Sequence, residues 1–198
     1  DVLGGYQALG LTEDLCIHES YTGVPGTAAA GLSGTSHDHF RTRNLFQGLY
    51  VGLAGEHQIN RWLVGWTGKL ALGYNDRTLQ ISGMSELTLP GGQTTTTPGG
   101  LLAVASNSGT YHSASPVFLP ELGVNLGYRV TERFVVRVGY SFLYWDRVWR
   151  PGEQVDTTIN PAYLAPGNNS ATPVRPVALQ SDSSLFVHGL NLGAELRF

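Results

Sequence analysis

The chain has 198 residues, long enough for one domain, and nothing in it reads as a linker between two. Charged residues make up 14%, well under the quarter usual for soluble domains, Gly is 26 of 198, and a net charge of −3 with a pI near 6.0 leaves no basic stripe for nucleic acid. No apolar run approaches the roughly 18 residues of a spanning helix, so a membrane location has to be reached with strands.

Residues 1–17 read as a strand, with Val2, Gly4, Tyr6 and Ala8 on one face and Leu3, Gly5, Gln7, Leu9 and Leu11 on the other. Both faces are mixed, so its outward side stays open. Residues 18–40, rich in Gly, Thr and Ser, are expected to form a loop. A second strand over about 41–56 sets Leu45, Leu49, Val51 and Leu53 against Asn44, Phe46, Gly48, Tyr50, Gly52, Ala54 and Glu56, and 57–60 reads as a short turn. In 61–82, Trp62, Val64, Trp66, Leu70, Leu72 and Tyr74 alternate with Gly65, Thr67, Lys69, Ala71, Gly73, Asn75 and Arg77. Aromatic rings at both ends of an apolar face are what interfacial girdles require. Residues 84–114, containing PGGQTTTTPGG, are expected to be a long loop whose Pro, Gly and Thr do not extend a ladder.

Residues 116–142 carry the strongest signal. Phe118, Leu122, Val124, Leu126 and Tyr128 alternate with Glu121, Gly123, Asn125, Gly127 and Arg129; after the turn Val130-Thr131-Glu132, Phe134, Val136, Val138, Tyr140, Phe142 and Tyr144 alternate with Arg137, Gly139 and Ser141. Period two over both arms makes a hairpin of long amphipathic strands. A turn centred on Thr131 sets Arg137 opposite Asn125. Residues 150–182, with five of the chain's ten prolines, are expected to be a third long loop, and 183–198 alternates Phe186, His188, Leu190, Leu192, Ala194, Leu196 and Phe198 with Gly189, Asn191, Gly193, Glu195 and Arg197. GVNLGY at 123–128 and GLNLGA at 189–194 are near copies, as two strands under one constraint would be.

The non-apolar faces hold glycine, asparagine and a few charges, while the apolar faces end in aromatics. A soluble sandwich buries branched aliphatics and charges its outer face; the pattern here matches lipid outside and a polar lumen inside. Connections alternate long and short, with long ones on one side, as in outer-membrane barrels. The expected fold class is all-β, an antiparallel up-and-down transmembrane β-barrel with six strands. Six strands in lipid would leave two open edges, so the 198 residues are expected to be one barrel domain forming the C-terminal part of a longer barrel. Several copies closing one barrel are the alternative.

Five blocks carry a family resemblance: FRTRNLFQGLYVGLAGE (40–56), GKLALGYNDRTLQISG (68–83), PGGLLAVASNSGTY (98–111), PELGVNLGYRVTERFVVRVGYSFLYWDRVWRPGEQVD (120–156) and the terminal GLNLGAELRF. Through them the chain resembles the beta-barrel porin family abundant in planctomycete bacteria, over nearly its whole length. The resemblance implies an outer-membrane β-barrel with no established substrate, and family members look longer at the amino end.

The lumen-facing candidates are Lys69, Arg77, Glu121, Asn125, Arg129, Arg137, Asn191, Glu195 and Arg197; Glu56 shares that face. They line a water-filled passage or pair up and plug it. The lipid-facing candidates are Trp62, Trp66, Leu122, Val124, Leu126, Val136, Val138, Tyr140, Leu190 and Leu192, with the bilayer as partner. Phe198, ending an alternating strand, resembles the signal by which outer-membrane proteins are recognised for insertion. His37-Asp38-His39 has a metal-binding spacing, but no further ligands accompany it, and the solvated-loop reading outweighs it. His188 reads as interfacial, Cys16 as a small apolar residue without a disulfide partner, and Asn168-Asn169-Ser170 as turn composition rather than a glycosylation site. Ser141 and Asn125 point inward without an obvious His, so a barrel hydrolase is not expected.

The function expected is a bacterial outer-membrane passive pore for small hydrophilic solutes, without catalysis, metal or cofactor. The alternative is a non-conducting barrel that anchors or contacts other envelope proteins, or copies of itself, through its long loops. A soluble lipocalin-type barrel would need a polar exterior, against which the apolar faces argue.

Overall fold

The computed structural model describes residues 1–158 and 175–196, and they form one antiparallel sheet. Six long strands lie side by side in the order β1 (Val2–Thr22), β2 (Ser33–Ile59), β3 (Trp62–Thr88), β5 (Gly109–Arg129), β6 (Phe134–Val148) and β7 (Ser183–Leu196). A short β4 (Thr94–Pro98) pairs with the top of β3, and the sheet curls into a half-barrel. A single 3₁₀ turn, Pro151–Gln154, follows β6.

Alternation sets the two faces. Val124, Val138 and Leu192, which a soluble sandwich would bury, are 57%, 39% and 78% exposed on the convex side. The outward set of β1 is Val2, Tyr6 and Ala8, because Tyr6 stands opposite the outward Leu49. The convex apolar band on β3 runs from Trp62 to Tyr74, about 40 Å along the strand, or roughly 28 Å of height at a tilt near 45°. That is the height of a hydrocarbon core.

The strands run well past this band. Residues 18–40, expected as a loop, belong mostly to β1 and β2, whose ladder continues from Ile17↔Asp38 to Thr22↔Ser33. β3 reaches Thr88, β5 starts at Gly109, and the expected loop 84–114 contains β4. Threonine is β-branched and suits a ladder, so Thr94–Thr97 pair with Ser85–Thr88. Beyond the band the outer face is polar and the inner face mixes Ser36, Asp38 and Thr42 with the buried Phe40, Leu79 and Ile81, so the sequence alternation weakens while the hydrogen bonding persists. On β2 this upper wall, from Leu45 to Ser33, adds roughly 28 Å at the same tilt.

Two turns also differ from expectation. β2 continues to Ile59, and the reversal is made at Asn60 and Arg61, with Asn60 at φ 54°, a left-handed position asparagine tolerates. The β5–β6 turn centres on Glu132, so Asn125 faces Gly139 and Arg137 faces Gly127. The partner shifts by two residues, which keeps every side chain on its predicted face.

β2 and β3 pass closely at Gly48 and Gly73, which face each other. A Cβ on Gly73 would overlap the Gln47 carbonyl oxygen and lie 2.6 Å from Gly48 Cα. Only glycine at both positions lets the backbones approach this closely.

Candidate functional site: the concave wall

The concave face has two zones. In the lower one, nearer the β2–β3 and β5–β6 turns, glycines alternate with a ladder of charges. Lys69 and Glu121 are register partners on β3 and β5, with Nζ donating to Oε1 at 2.9 Å. Arg137 on β6 reaches across β5 and β3 to Glu56 on β2 at 2.8 Å and lies 3.5 Å from Glu195 on β7. Gly65 and Gly127 lie on the same wall, where side chains would crowd that reach; a Cβ on Gly127 would stand 3.4 Å from Arg137 Cγ. Arg129 donates to Gln58 at 3.2 Å. Asn125 leans over Gly139, where a Cβ would overlap its Oδ1. Asn191 donates to Ser141 at 3.5 Å, and no imidazole is bonded to that serine.

The upper zone is packed, which the reading of a glycine-and-asparagine lumen did not foresee. Phe46, Ala71, Val117, Leu119, Trp145 and Val148 form one buried cluster, and Phe40, Leu79, Ile81, Ala103 and Trp149 another. Two connections fold inward to complete them. Asp38 holds the first: its carboxylate accepts the N–H groups of Leu101, Leu102 and Ala103 at 2.7 to 3.2 Å. The second is an arm from Arg147 to Asp156, held at β2 because the Trp149 N–H donates to Asn44 Oδ1 (2.7 Å) and Asn44 Nδ2 donates back to the Trp149 carbonyl (2.8 Å). Arg150 then grips Glu13 of β1 through two nitrogens.

Arg77 sits under this arm. It is 4% exposed, stacked 4.9 Å from the Trp149 ring, and donates to Asp182, Ser113, Ser115 and the Arg147 carbonyl. Its charge is therefore enclosed rather than facing an open passage. The other described lumen candidates, Lys69, Glu121, Asn125, Arg129, Arg137, Asn191 and Glu195, lie on the lower concave wall; Arg197, Phe198 and the Asn168-Asn169-Ser170 stretch lie outside the described residues. All ten lipid-facing candidates, Trp62, Trp66, Leu122, Val124, Leu126, Val136, Val138, Tyr140, Leu190 and Leu192, are exposed on the convex face. His188 is there too, 6.0 Å from the Tyr140 ring.

The three residues of His37-Asp38-His39 do not converge. They lie on β2 rather than in a loop, so Asp38 points inward while His37 meets the His18 ring edge-on and His39 bonds Asp14 at 2.9 Å on the outside. Asp38, Asn44, Trp149 and Arg150 are the structural residues that sequence reasoning missed. Their partners are 63 to 137 positions away, beyond any local pattern.

At the foot of the arm, Asp156 is buried, which by itself raises a carboxyl pKa. The Arg175 guanidinium at 2.7 Å and the N–H groups of Val177 (2.9 Å) and Thr158 (3.0 Å) outweigh that and hold it well below the usual carboxylate range. A depressed folded-state pKa means the contribution is present above the unfolded value near 3.9 and is lost as pH falls below it. At neutral pH, Asp156→Asn should speed amide exchange at Thr158 and Val177 at least about tenfold, since each charge-assisted bond is worth about 1.5 kcal/mol or more. Unchanged exchange at both amides would show that the carboxylate does not tether this segment.

No curated protein and no solved structure matches the chain significantly. A family profile does, along residues 1–198, and its description agrees with the two-faced antiparallel wall seen here. The chain belongs to the putative beta barrel porin-7 (BBP7) family.

Proposed function

We propose that the chain builds the wall of an outer-membrane pore passing small hydrophilic solutes, with the 147–156 arm narrowing the passage. Membership of a beta barrel porin family supports an outer-membrane, porin-like role and points away from catalysis. The observation that carries the finer reading is the opposition of the two faces. A hydrocarbon-high apolar band covers the convex side of strands whose concave side is lined by glycine, asparagine and charges in its lower half. Water and solute are the natural occupants of that lower concavity, because a lipid-filled interior would leave Lys69, Glu121, Glu56 and Arg137 in hydrocarbon.

The packed upper zone favours a second reading, a closed barrel serving as an anchor or contact surface. Planar-bilayer conductance of the full-length protein separates the two. Discrete current steps support the pore; a silent bilayer containing folded, heat-modifiable protein removes it.

Selectivity follows from the charge ladder. Lys69 and Arg137 on the lower wall are matched with carboxylates at short range, so the passage should discriminate weakly between ions. Arg137→Gln takes the guanidinium from Glu56, and the cation-to-anion permeability ratio should rise about twofold, the scale of a screened charge in a water-filled passage. A reversal potential unchanged from wild type in asymmetric KCl would place Arg137 away from the ion path.

A further inference from the structure

On the convex face, immediately above the apolar band, five polar side chains from three adjacent strands surround a shallow pocket of about 390 Å³: Arg41 and Arg43 of β2, Thr78 and Gln80 of β3, and His112 of β5. The register aligns them: Arg43 faces Thr78 and Thr78 faces His112, whose Nδ1 lies 3.2 Å from the Thr78 hydroxyl, while Arg41 faces Gln80. All five side chains can donate hydrogen bonds and none is a carboxylate. Asp14 lies 3.8 Å from Arg41 and is already bonded to His39, and Asp76 stands one outward position below Thr78. Arg43 has no carboxylate within salt-bridge distance among the described residues.

A second depression lies lower on the same strands. Gly68 leaves a dent walled by Val51, Leu53, Trp66, Leu70 and Leu122, about 460 Å³ and almost wholly apolar. Outward residues Leu49, Leu72, Tyr74 and Phe118 make the surface between the two continuous. From Arg43 to Val51 is about 26 Å along β2, or roughly 19 Å of depth at a 45° tilt, which is the headgroup layer plus one leaflet of hydrocarbon.

We propose that these two depressions form one site for a phosphate-bearing lipid of the outer leaflet, its phosphate held by Arg41, Arg43 and His112 and an acyl chain lying toward the Gly68 dent. Guanidinium forks match phosphate oxygens in charge and geometry, and at this height the ligand that meets them is a lipid headgroup. The site rests on the reading of the convex face as lipid-facing.

Native mass spectrometry of the full-length protein in neutral detergent tests it with dioleoylphosphatidic acid against dioleoylglycerol, lipids that share their acyl chains and differ in the phosphate. Wild type should retain the phosphatidic acid at least about tenfold better, the worth of one charge-assisted bond, and R41Q/R43Q should lose that preference. R43Q alone, which disturbs no carboxylate contact, should lose most of it and covers the case of a double variant that does not assemble. Equal retention by wild type and R43Q overturns the site, as does inorganic phosphate displacing the lipid completely at equimolar concentration, which would make the pocket a free-anion site. Current steps from R43Q matching wild type would show that a failure here leaves the pore reading standing.

Discussion

Gly73→Ala is expected to block assembly of the wall. Its added methyl would meet the backbone of Gln47 and Gly48 rather than a side chain able to rotate away, and the reverse holds for Gly48 against Leu72 and Gly73. Overpacking against movable side chains costs about 1 to 3 kcal/mol, and a backbone collision sits at or beyond the upper end of that range. The strands would have to separate at the crease, opening the curl that lets Arg137 reach Glu56 from three strands away. The measurement is heat-modifiable gel mobility, followed by the urea midpoint of whatever folds. Gly10→Ala is the control, since its methyl meets nothing within 4 Å. A G73A protein with wild-type mobility and midpoint would mean the crease is not required.

The second large effect is expected from Trp149→Ala. Trp149 is 1% exposed, its indole N–H donates to Asp182 at 3.0 Å, and its ring covers the Arg77 guanidinium. Truncating a buried aromatic of this size costs about 3 to 5 kcal/mol. Water would then reach Arg77, and the arm would lose its indole bond to Asp182 while keeping its polar anchors at Asn44, Asn75 and Glu13. The folded protein should unfold at lower urea and carry larger, noisier current steps than wild type, because the obstruction leaves the wall. Wild-type conductance together with a wild-type midpoint would contradict both the packing and the proposed narrowing.

How much of this was legible in the sequence follows from where one face had to be apolar. Within the band, Trp62 to Tyr74, Phe118 to Tyr128 and Phe134 to Tyr144 alternate because one face is apolar and the other lines the concave wall, and every strand read there exists, with its apolar residues on the convex side. Above it, SGTSHDHFRTRN pairs as fully as the band does, yet its outer face is polar and its inner face sets a single Phe40 among Gly, Ser, Asp, Thr and Asn, so no period shows. The threonine run at 94–97 read as loop because its neighbours are Pro and Gly, although its own β-branched side chains favour the ladder it forms. The inner wall was half legible. Lys69, Glu121 and Arg137 stand where alternation put them, but Phe46, Ala71 and Leu119 share their face, and Trp145 and Val148, which those residues pack against, come from the end of β6, far along the chain.

The grip of Arg150 on Glu13 links positions 137 apart, and that of Trp149 on Asn44 links positions 105 apart. Contacts of such long sequence separation are closed last, after the loop entropy between them has been overcome. β1 and β2 therefore gain their final inner environment only once β6 has been laid down, and maturation should show a late phase in which Trp149 fluorescence shifts blue after the ladder is complete.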